Sequence, residues 1–234
     1  MLVIGGGTLG SDITSKFAQL ADCPATPVVV IPTAGDPVSY PADYAGPPFL
    51  KASGCQVIVL HTRDRRVADT DEFAAPIRRA KGVFFPGGRQ WRLVDSYLGT
   101  KTQRELEALL ARGGIIAGTS AGATIQGSYL VRGAREGNQI MMASGYEEGF
   151  GFLRNVAVDQ HLLKRNRQED LVPVVTRFPQ LLGIGIDEDT AILVTGNQFE
   201  VLGVSKVLIY EHGRPYYSLK AGDRFALDRR QVLR

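Results

Sequence analysis

The chain has 234 residues, 44% of them hydrophobic and 22% charged, which suffices for one well-buried core and predicts a single domain spanning residues 1–234. Its net charge of +3 is spread along the sequence, which argues against nucleic acid as a partner. No apolar segment reaches about 18 residues and no leader-like segment opens the sequence, so we expect neither a membrane span nor export.

In the first half of the chain, short apolar runs alternate with amphipathic segments. We predict strands buried on both faces at 2–4, 28–31, 57–60, 83–85 and 115–117, and helices at 12–20, 70–80 and 102–112. This alternation predicts a mostly parallel sheet flanked by helices, with a ligand site beyond the carboxyl ends of the strands. Segment 35–54 contains four prolines and is predicted to be a loop that partly covers this site.

A glycine-rich turn follows the first predicted strand. Residues 5–10 read GGGTLG, which fits the G-x-G-x-x-G pattern of a turn that binds a dinucleotide at a helix N-terminus. The second strand ends at Ile31-Pro32-Thr33, without the acid that would bind a ribose hydroxyl. Nucleotide binding is therefore kept as an alternative function, and a tight turn beside the ligand site is favoured.

The two cysteines, Cys23 and Cys55, lie in unrelated contexts and form no C-x-x-C pair. We expect them to be reduced thiols that act as small core residues. Reduced thiols favour a cytoplasmic protein over a secreted one with a disulfide framework.

The most informative segment is residues 114–123, where an apolar run breaks into Gly-x-Ser-x-Gly around Ser120. A strand that turns sharply into a helix needs glycine on both sides of the central residue, because a Cβ there would collide with the turn. The preceding strand, the following helix and the small Ala121 all meet this requirement. Ser120 is therefore the candidate nucleophile.

A serine nucleophile needs a base, and the chain has three histidines. His161 is the best placed, because it follows an apolar segment at 155–158 within Asp159-Gln160-His161. His61 stays a candidate at the carboxyl end of a strand, whereas His212 is predicted to lie in a solvated turn. Three dispersed histidines supply no recognisable metal-ligand set, and we expect no metal or other cofactor.

An acid must then orient the imidazole, and several carboxylates are open candidates. They are Asp159, Glu136, Glu147, Glu148, Asp187, Glu188 and Asp189. Strand alternation makes Glu188 face away from its two neighbours, although all three could simply lie in a hairpin turn. Further strands at 183–187, 190–194, 199–202 and 206–211 predict antiparallel hairpins in the carboxyl third.

Four motifs together resemble cyanophycinase and the related aspartyl dipeptidases of peptidase family S51. They are FFPGGRQ at 84–90, GTSAGA at 118–123, DQH at 159–161 and GIGIDEDTA at 183–191, and they occur in the order of the family. The resemblance implies a flavodoxin-like fold of the class I glutamine amidotransferase type and a homodimer. It also implies a peptidase with a Ser120–His161–Glu188 triad; the chain order Ser, His, Glu argues against the α/β-hydrolases.

The resemblance implies roles for further residues. Backbone N–H groups of Gly88 and Ala121 would bind the oxyanion. Substrate ends would be held by Gln90, Asp159, Gln160, Arg165 and Arg167, because a guanidinium binds a carboxylate bidentately.

Two positions depart from the family. Asp170 stands where cyanophycinases usually carry a further arginine, and Arg89 stands where the family often has aspartate. The substrate is therefore open between cyanophycin and a β-aspartyl or amino-terminal aspartyl dipeptide, and Asp170 could instead favour a basic group.

Overall fold

A computed structural model describes residues 1–41 and 43–233. The helices are α1 (Ser11–Leu20), α2 (Pro48–Ala52), α3 (Arg65–Ala68), α4 (Asp71–Arg79), α5 (Gln90–Tyr97), α6 (Lys101–Ala111), α7 (Ala121–Thr124) and α8 (Val172–Arg177). The first seven strands are β1 (Leu2–Ile4), β2 (Val28–Val30), β3 (Val57–Val59), β4 (Gly82–Phe85), β5 (Ile115–Thr119), β6 (Gly127–Tyr129) and β7 (Leu153–Gln160). The other seven are β8 (Leu182–Ile186), β9 (Thr190–Thr195), β10 (Gln198–Gly203), β11 (Lys206–Tyr210), β12 (Tyr217–Lys220), β13 (Arg224–Ala226) and β14 (Gln231–Leu233).

The strands form two sheets. The larger has the order β14-β13-β10-β9-β1-β5-β4-β2-β3, in which β1, β5, β4, β2 and β3 run parallel and the remaining strands pair antiparallel. The smaller has the order β12-β11-β8-β7-β6, with β6, β7 and β8 parallel. The predicted α/β flavodoxin-like fold, with parallel strands flanked by helices, is confirmed, as are the antiparallel hairpins of the carboxyl third.

Continuous apolar strands bury both of their faces, as β2 illustrates. Val29 packs in a core with Ile77 of α4 and Leu106 of α6, whereas Val28 packs in another core with Phe17 of α1. Successive side chains point to opposite faces of a sheet, so a run without polar residues needs helices on both sides. The prediction fails for β3, whose side chains are only half-buried because this strand lies at the sheet edge.

A third apolar core lies between the two sheets. It contains Val3 of β1 and Ile192 of β9 together with Val158 of β7 and Ile184 of β8. The chain passes from β8 in the smaller sheet to β9 in the larger one, so residues 187–189 form a crossover. The alternative that this acidic trio lies in a hairpin turn is therefore wrong.

The expectation of reduced thiols is also wrong, because Cys23 and Cys55 form a disulfide with their Cα atoms 4.8 Å apart. Cys23 follows α1 before β2, and Cys55 lies two residues before β3. Because β2 and β3 pair in parallel with Val28 opposite Val57, their entry segments meet at the same end of the sheet. The disulfide removes the thiol argument for a cytoplasmic location, which stays a prediction.

No helix in the described part of the chain has the length and apolar character needed to cross a bilayer. In segment 35–54, the described residues 35–41 and 43–54 are irregular as predicted, except for the short helix α2, which starts with a proline at its first turn. That placement is favourable because proline has no N–H to satisfy there.

Candidate active site

The Gly-x-Ser-x-Gly segment forms the predicted sharp turn between β5 and α7. Ser120 has φ 55° and ψ −115°, a backbone conformation that non-glycine residues rarely adopt. A Cβ on Gly118 would lie 2.0 Å from the carbonyl oxygen of Gly122, and one on Gly122 would lie 2.3 Å from that of Phe85. Both glycines are thus required by close backbone approach, and together they hold Ser120 in this strained position.

His161 comes from the other sheet, at the carboxyl end of β7. Its backbone N–H donates to the carbonyl of Gly5 at 2.9 Å, which fixes the residue beside the end of β1. The imidazole is nearly buried, and its Nε2 lies 2.9 Å from Ser120 Oγ. The two sheets therefore bring together the serine and histidine that the sequence singled out.

Glu188 completes a chain of hydrogen bonds from the β8–β9 crossover. Its Oε1 lies 2.6 Å from Nδ1 of His161. A carboxylate accepts only, so Nδ1 carries the proton and Nε2 is left to accept from the Ser120 hydroxyl. Among the carboxylates left open by the sequence, Glu188 is the one that reaches the imidazole.

The electrostatics keep this imidazole neutral. Burial lowers the pKa of His161, the hydrogen bond to Glu188 raises it, and the charges of Arg165 and Arg167 lower it further, with a net decrease. A neutral imidazole can take a proton from a neighbouring hydroxyl, whereas an imidazolium cannot.

The two flanking aspartates fix the crossover. Asp187 Oδ1 accepts from the N–H groups of Leu163 and Lys164, at 2.9 Å each. Asp189 accepts from the N–H of Gly10 at 2.6 Å. These bonds hold the crossover so that Glu188 points at His161.

The glycine-rich turn at 5–10 explains why glycine is needed there. A Cβ on Gly6 would lie 2.2 Å from Cε1 of His161, and one on Gly7 would lie 2.7 Å from Oε2 of Glu188. The imidazole of His161 and the carboxylate of Glu188 therefore pack directly against the backbone of this turn. Its Gly10 N–H, a donor that a phosphate would need, already binds Asp189.

Replacing Gly6 by alanine is expected to displace the imidazole and to lower kcat at least about a hundredfold, because small misplacements of catalytic groups cost this much. The measurement is kcat for the peptide hydrolysis that the resemblance implies, with the unfolding temperature measured in parallel. Gly137→Ala is the control, because a Cβ there meets nothing within 4 Å and its φ is not positive. Full activity in Gly6→Ala would contradict the predicted contact.

The two candidate oxyanion donors lie beside the serine. A Cβ on Gly87 would be 3.1 Å from that of Ser120, which places the Gly87-Gly88 turn against this serine. Gly88 has φ 146°, and its own Cβ would be 2.0 Å from the carbonyl oxygen of Ala34. Within the described residues, the N–H groups of Gly88 and Ala121 donate to no protein acceptor. Their role in oxyanion binding stays a prediction.

Candidate substrate groups surround this centre. Arg167 is almost fully buried and donates from Nη1 to the side-chain oxygen of Gln160 at 2.9 Å and to its carbonyl at 3.1 Å. Gln90 begins α5 and is 1% exposed, and its Oε1 has no hydrogen-bond partner among the described residues. Arg165 is exposed one turn beyond His161. No contact tests these assignments to substrate.

Asp159 has a different immediate partner, which the sequence interpretation missed. Its carboxylate is fully buried and accepts from Nε and Nη2 of Arg132, at 2.7 and 2.8 Å. Nη2 of Arg132 also donates to Asp170. Arg132 lies in none of the motifs. The one indication in the sequence that it is buried is its position directly after the apolar pair at 130–131.

The other histidines lie outside this centre. His61 uses both ring nitrogens elsewhere: Nδ1 bonds the hydroxyl of Thr33 and Nε2 lies 2.8 Å from the carbonyl of Val38. His212 is exposed in its turn. The possibility that His61 is the base is therefore not supported.

Known proteins resemble this chain in sequence. The profile of peptidase family S51 matches residues 1–202. The chain is 31% identical to the cyanophycinase of Trichormus variabilis over 265 residues, covering 100% of this chain and 87% of that protein. It is 29% identical over 217 residues to the cyanophycinase of Geminocystis herdmanii, covering 90% and 80%.

Two solved structures share the fold. A peptidase from an acI-B1 Actinobacterium superposes with a TM-score of 0.75 at 24% identity, covering 96% of this chain and 95% of that one. A putative peptidase E protein from Listeria monocytogenes superposes with a TM-score of 0.62 at 18% identity, covering 87% and 98%.

Proposed function

Because this chain belongs to peptidase family S51, we propose that it is a cyanophycinase-like serine exopeptidase that cleaves aspartyl or β-aspartyl peptide bonds through Ser120, His161 and Glu188. The observation that carries this proposal is the continuous hydrogen-bond chain from Ser120 Oγ through the imidazole to the Glu188 carboxylate. Nucleophile, base and orienting acid are the three parts that acyl transfer requires.

The mechanism follows from these positions. Ser120 Oγ attacks the peptide carbonyl while His161 Nε2 takes the hydroxyl proton, and Glu188 stabilises the imidazolium through Nδ1–H. The oxyanion accepts from the N–H groups of Gly88 and Ala121, each worth about 3 kcal/mol of transition-state stabilisation. His161 then returns the proton to the leaving amine. In the second half of the reaction water attacks the acyl-enzyme, His161 takes a proton from this water, and the proton goes to Ser120 Oγ as it leaves.

The charges around the site favour an acidic substrate group. Arg165 and Arg167 supply cations beside His161, and both lower its pKa through their charge. Asp170 forms an ion pair with Arg132, so this carboxylate already has a cationic partner within the fold. We assign substrate binding to Gln90, Gln160 and these two arginines, and we assign Asp159 to holding Arg132.

The domain organisation, the oligomeric state and the location of the protein are also proposals. We treat residues 1–234 as one catalytic domain, because the proposed triad draws Ser120 from the larger sheet and His161 from the smaller. We also propose a homodimer, which the resemblance to the family implies, and we keep the predicted cytoplasmic location as a proposal.

The test combines labelling with a substrate panel. A fluorophosphonate should modify Ser120, located by peptide mass spectrometry, because only an activated serine reacts readily. Hydrolysis of β-Asp-Leu, β-Asp-Arg and Asp-Leu is then compared by amino-acid release. We expect labelling at Ser120 and turnover of at least one of the three peptides. Labelling elsewhere, or no turnover of any peptide, would reject the proposal.

A further inference from the structure

Arg132 is completely buried, in the connection between β6 and β7. Its backbone has φ 60°, in the left-handed region. Nε and Nη2 donate to the two oxygens of Asp159, at 2.7 and 2.8 Å, and Nη2 also donates to Asp170. Nη1 donates to the carbonyl of Asn138 at 2.7 Å. A buried guanidinium with this many charge-assisted bonds has a fixed position.

The two carboxylates belong to the segments that carry the proposed substrate groups. Asp159 lies on β7, immediately before Gln160. Asp170 lies just after Arg167, and its N–H donates to the carbonyl of that residue at 3.1 Å. Arg132 therefore ties the end of β7 to the segment that follows it.

Arg167 shares this electrostatic environment. Burial, followed by repulsion from Arg132, lowers the pKa of Arg167, whereas attraction from Asp159 raises it. Its hydrogen bonds, however, go to the neutral Gln160, whereas both oxygens of Asp159 accept from Arg132. Removing Arg132 would leave a buried carboxylate without its counter-ion, and the charge of this carboxylate already acts on Arg167.

We propose that Arg132 is a positioning residue that sets the selectivity of this site for a substrate carboxylate. By occupying Asp159 and Asp170, it leaves the guanidinium of Arg167 available to the acidic group of the substrate. This role rests on the proposed peptidase function. It concerns substrate binding and leaves the chemical step at Ser120 unchanged.

The experiment compares two substrates that differ in one charge. They are β-Asp-Leu and its analogue in which the aspartyl α-carboxylate is a carboxamide. For Arg132→Gln we expect KM for β-Asp-Leu to rise about tenfold or more, while kcat stays within about threefold, because a uniform binding contact is lost. The kinetics of the uncharged analogue should not change, so the preference for the acid should fall by the same factor.

A double-mutant cycle separates this role from a structural one. In Asp159→Asn the fully buried carboxylate is gone and Arg132 still pairs with Asp170, so KM for β-Asp-Leu should stay within about threefold of wild type. Adding Asp159→Asn to Arg132→Gln should reverse most of the rise in KM, because it removes the buried carboxylate left without a counter-ion. If Asp159 itself bound substrate, Asp159→Asn would raise KM as strongly as Arg132→Gln. That result, or an equal loss of kcat/KM on both substrates, would overturn the proposal.

Folding is checked by thermal unfolding and by the rate at which a fluorophosphonate labels Ser120 in each variant. Should Arg132→Gln fail to fold, Arg132→Lys keeps the charge without the planar fork, and a smaller rise in KM with unchanged kcat is expected. Unchanged KM in a folded Arg132→Lys would overturn the proposal. Labelling and turnover by the wild-type enzyme are measured first, so failure of the proposed function is distinguished from failure of this inference.

Discussion

Ser120→Ala is expected to lower kcat for peptide hydrolysis by roughly five to six orders of magnitude, because the variant has no hydroxyl to attack the carbonyl. The Ser120 Oγ is the atom bonded to Nε2 of His161, so its loss removes nucleophile and proton transfer together. KM should change little, because the proposed substrate contacts come from other side chains. The measurement is leucine release from β-Asp-Leu at saturating substrate.

The control is Ser11→Ala, which also removes a serine hydroxyl at the start of a helix. Ser11 is exposed and far from Ser120 in the sequence. It should retain wild-type kcat. Ser120→Ala should unfold at the wild-type temperature, since the sharp turn between β5 and α7 depends on the glycines that flank this residue. Activity above about one hundredth of wild type in a purified, folded Ser120→Ala would show that another group is the nucleophile.

The larger sheet was predictable where a strand is apolar without interruption. Such runs at β1, β2, β4 and β5 have few alternatives, because only burial on both faces tolerates them. The same pattern misled at β3, since an edge position depends on neighbours that no local run specifies. The second sheet was not predicted, because periodicity describes a strand and not the sheet it joins.

The site shows the same division between local and distant causes. Ser120 could be predicted because the glycines on either side of it indicate a sharp turn. His161 could be predicted because polar residues cluster there after an apolar strand. Sequence spacing did not select Glu188 among the candidate acids. Its contact with the imidazole depends on a crossover between the two sheets, which no local pattern specifies.

Contacts between residues that lie far apart in the sequence could not be predicted. The glycine pattern at 5–10 reports a close approach without saying what approaches, and here it is His161 and Glu188 rather than a phosphate. Arg132 meets Asp159 27 positions away, and Cys23 meets Cys55 across 32. No local pattern encodes such pairs, because each is set by how separate segments enter the fold.

Glu188→Gln is expected to lower kcat by about four orders of magnitude while leaving the fold intact. The amide that replaces the carboxylate can donate to Nδ1 of His161, which places the ring proton on Nε2. That tautomer cannot accept the proton of Ser120, so the hydrogen bond that activates the nucleophile is lost. A Glu188→Gln variant with more than about a tenth of wild-type kcat would remove Glu188 from the proposed triad.

The pH dependence provides an independent test of the same contact. His161 acts as a base only when neutral, so activity should rise with pH through the pKa of this imidazole. Burial lowers that pKa below the ordinary value of 6.5, so the acidic limb of the wild-type profile should have its midpoint below 6.5. Glu188 raises the pKa against this trend, so its loss should move the midpoint of the residual activity to still lower pH. Glu136→Gln is the matched control: it removes an exposed carboxylate that the sequence left open as the acid, and both kcat and the midpoint should stay at wild-type values.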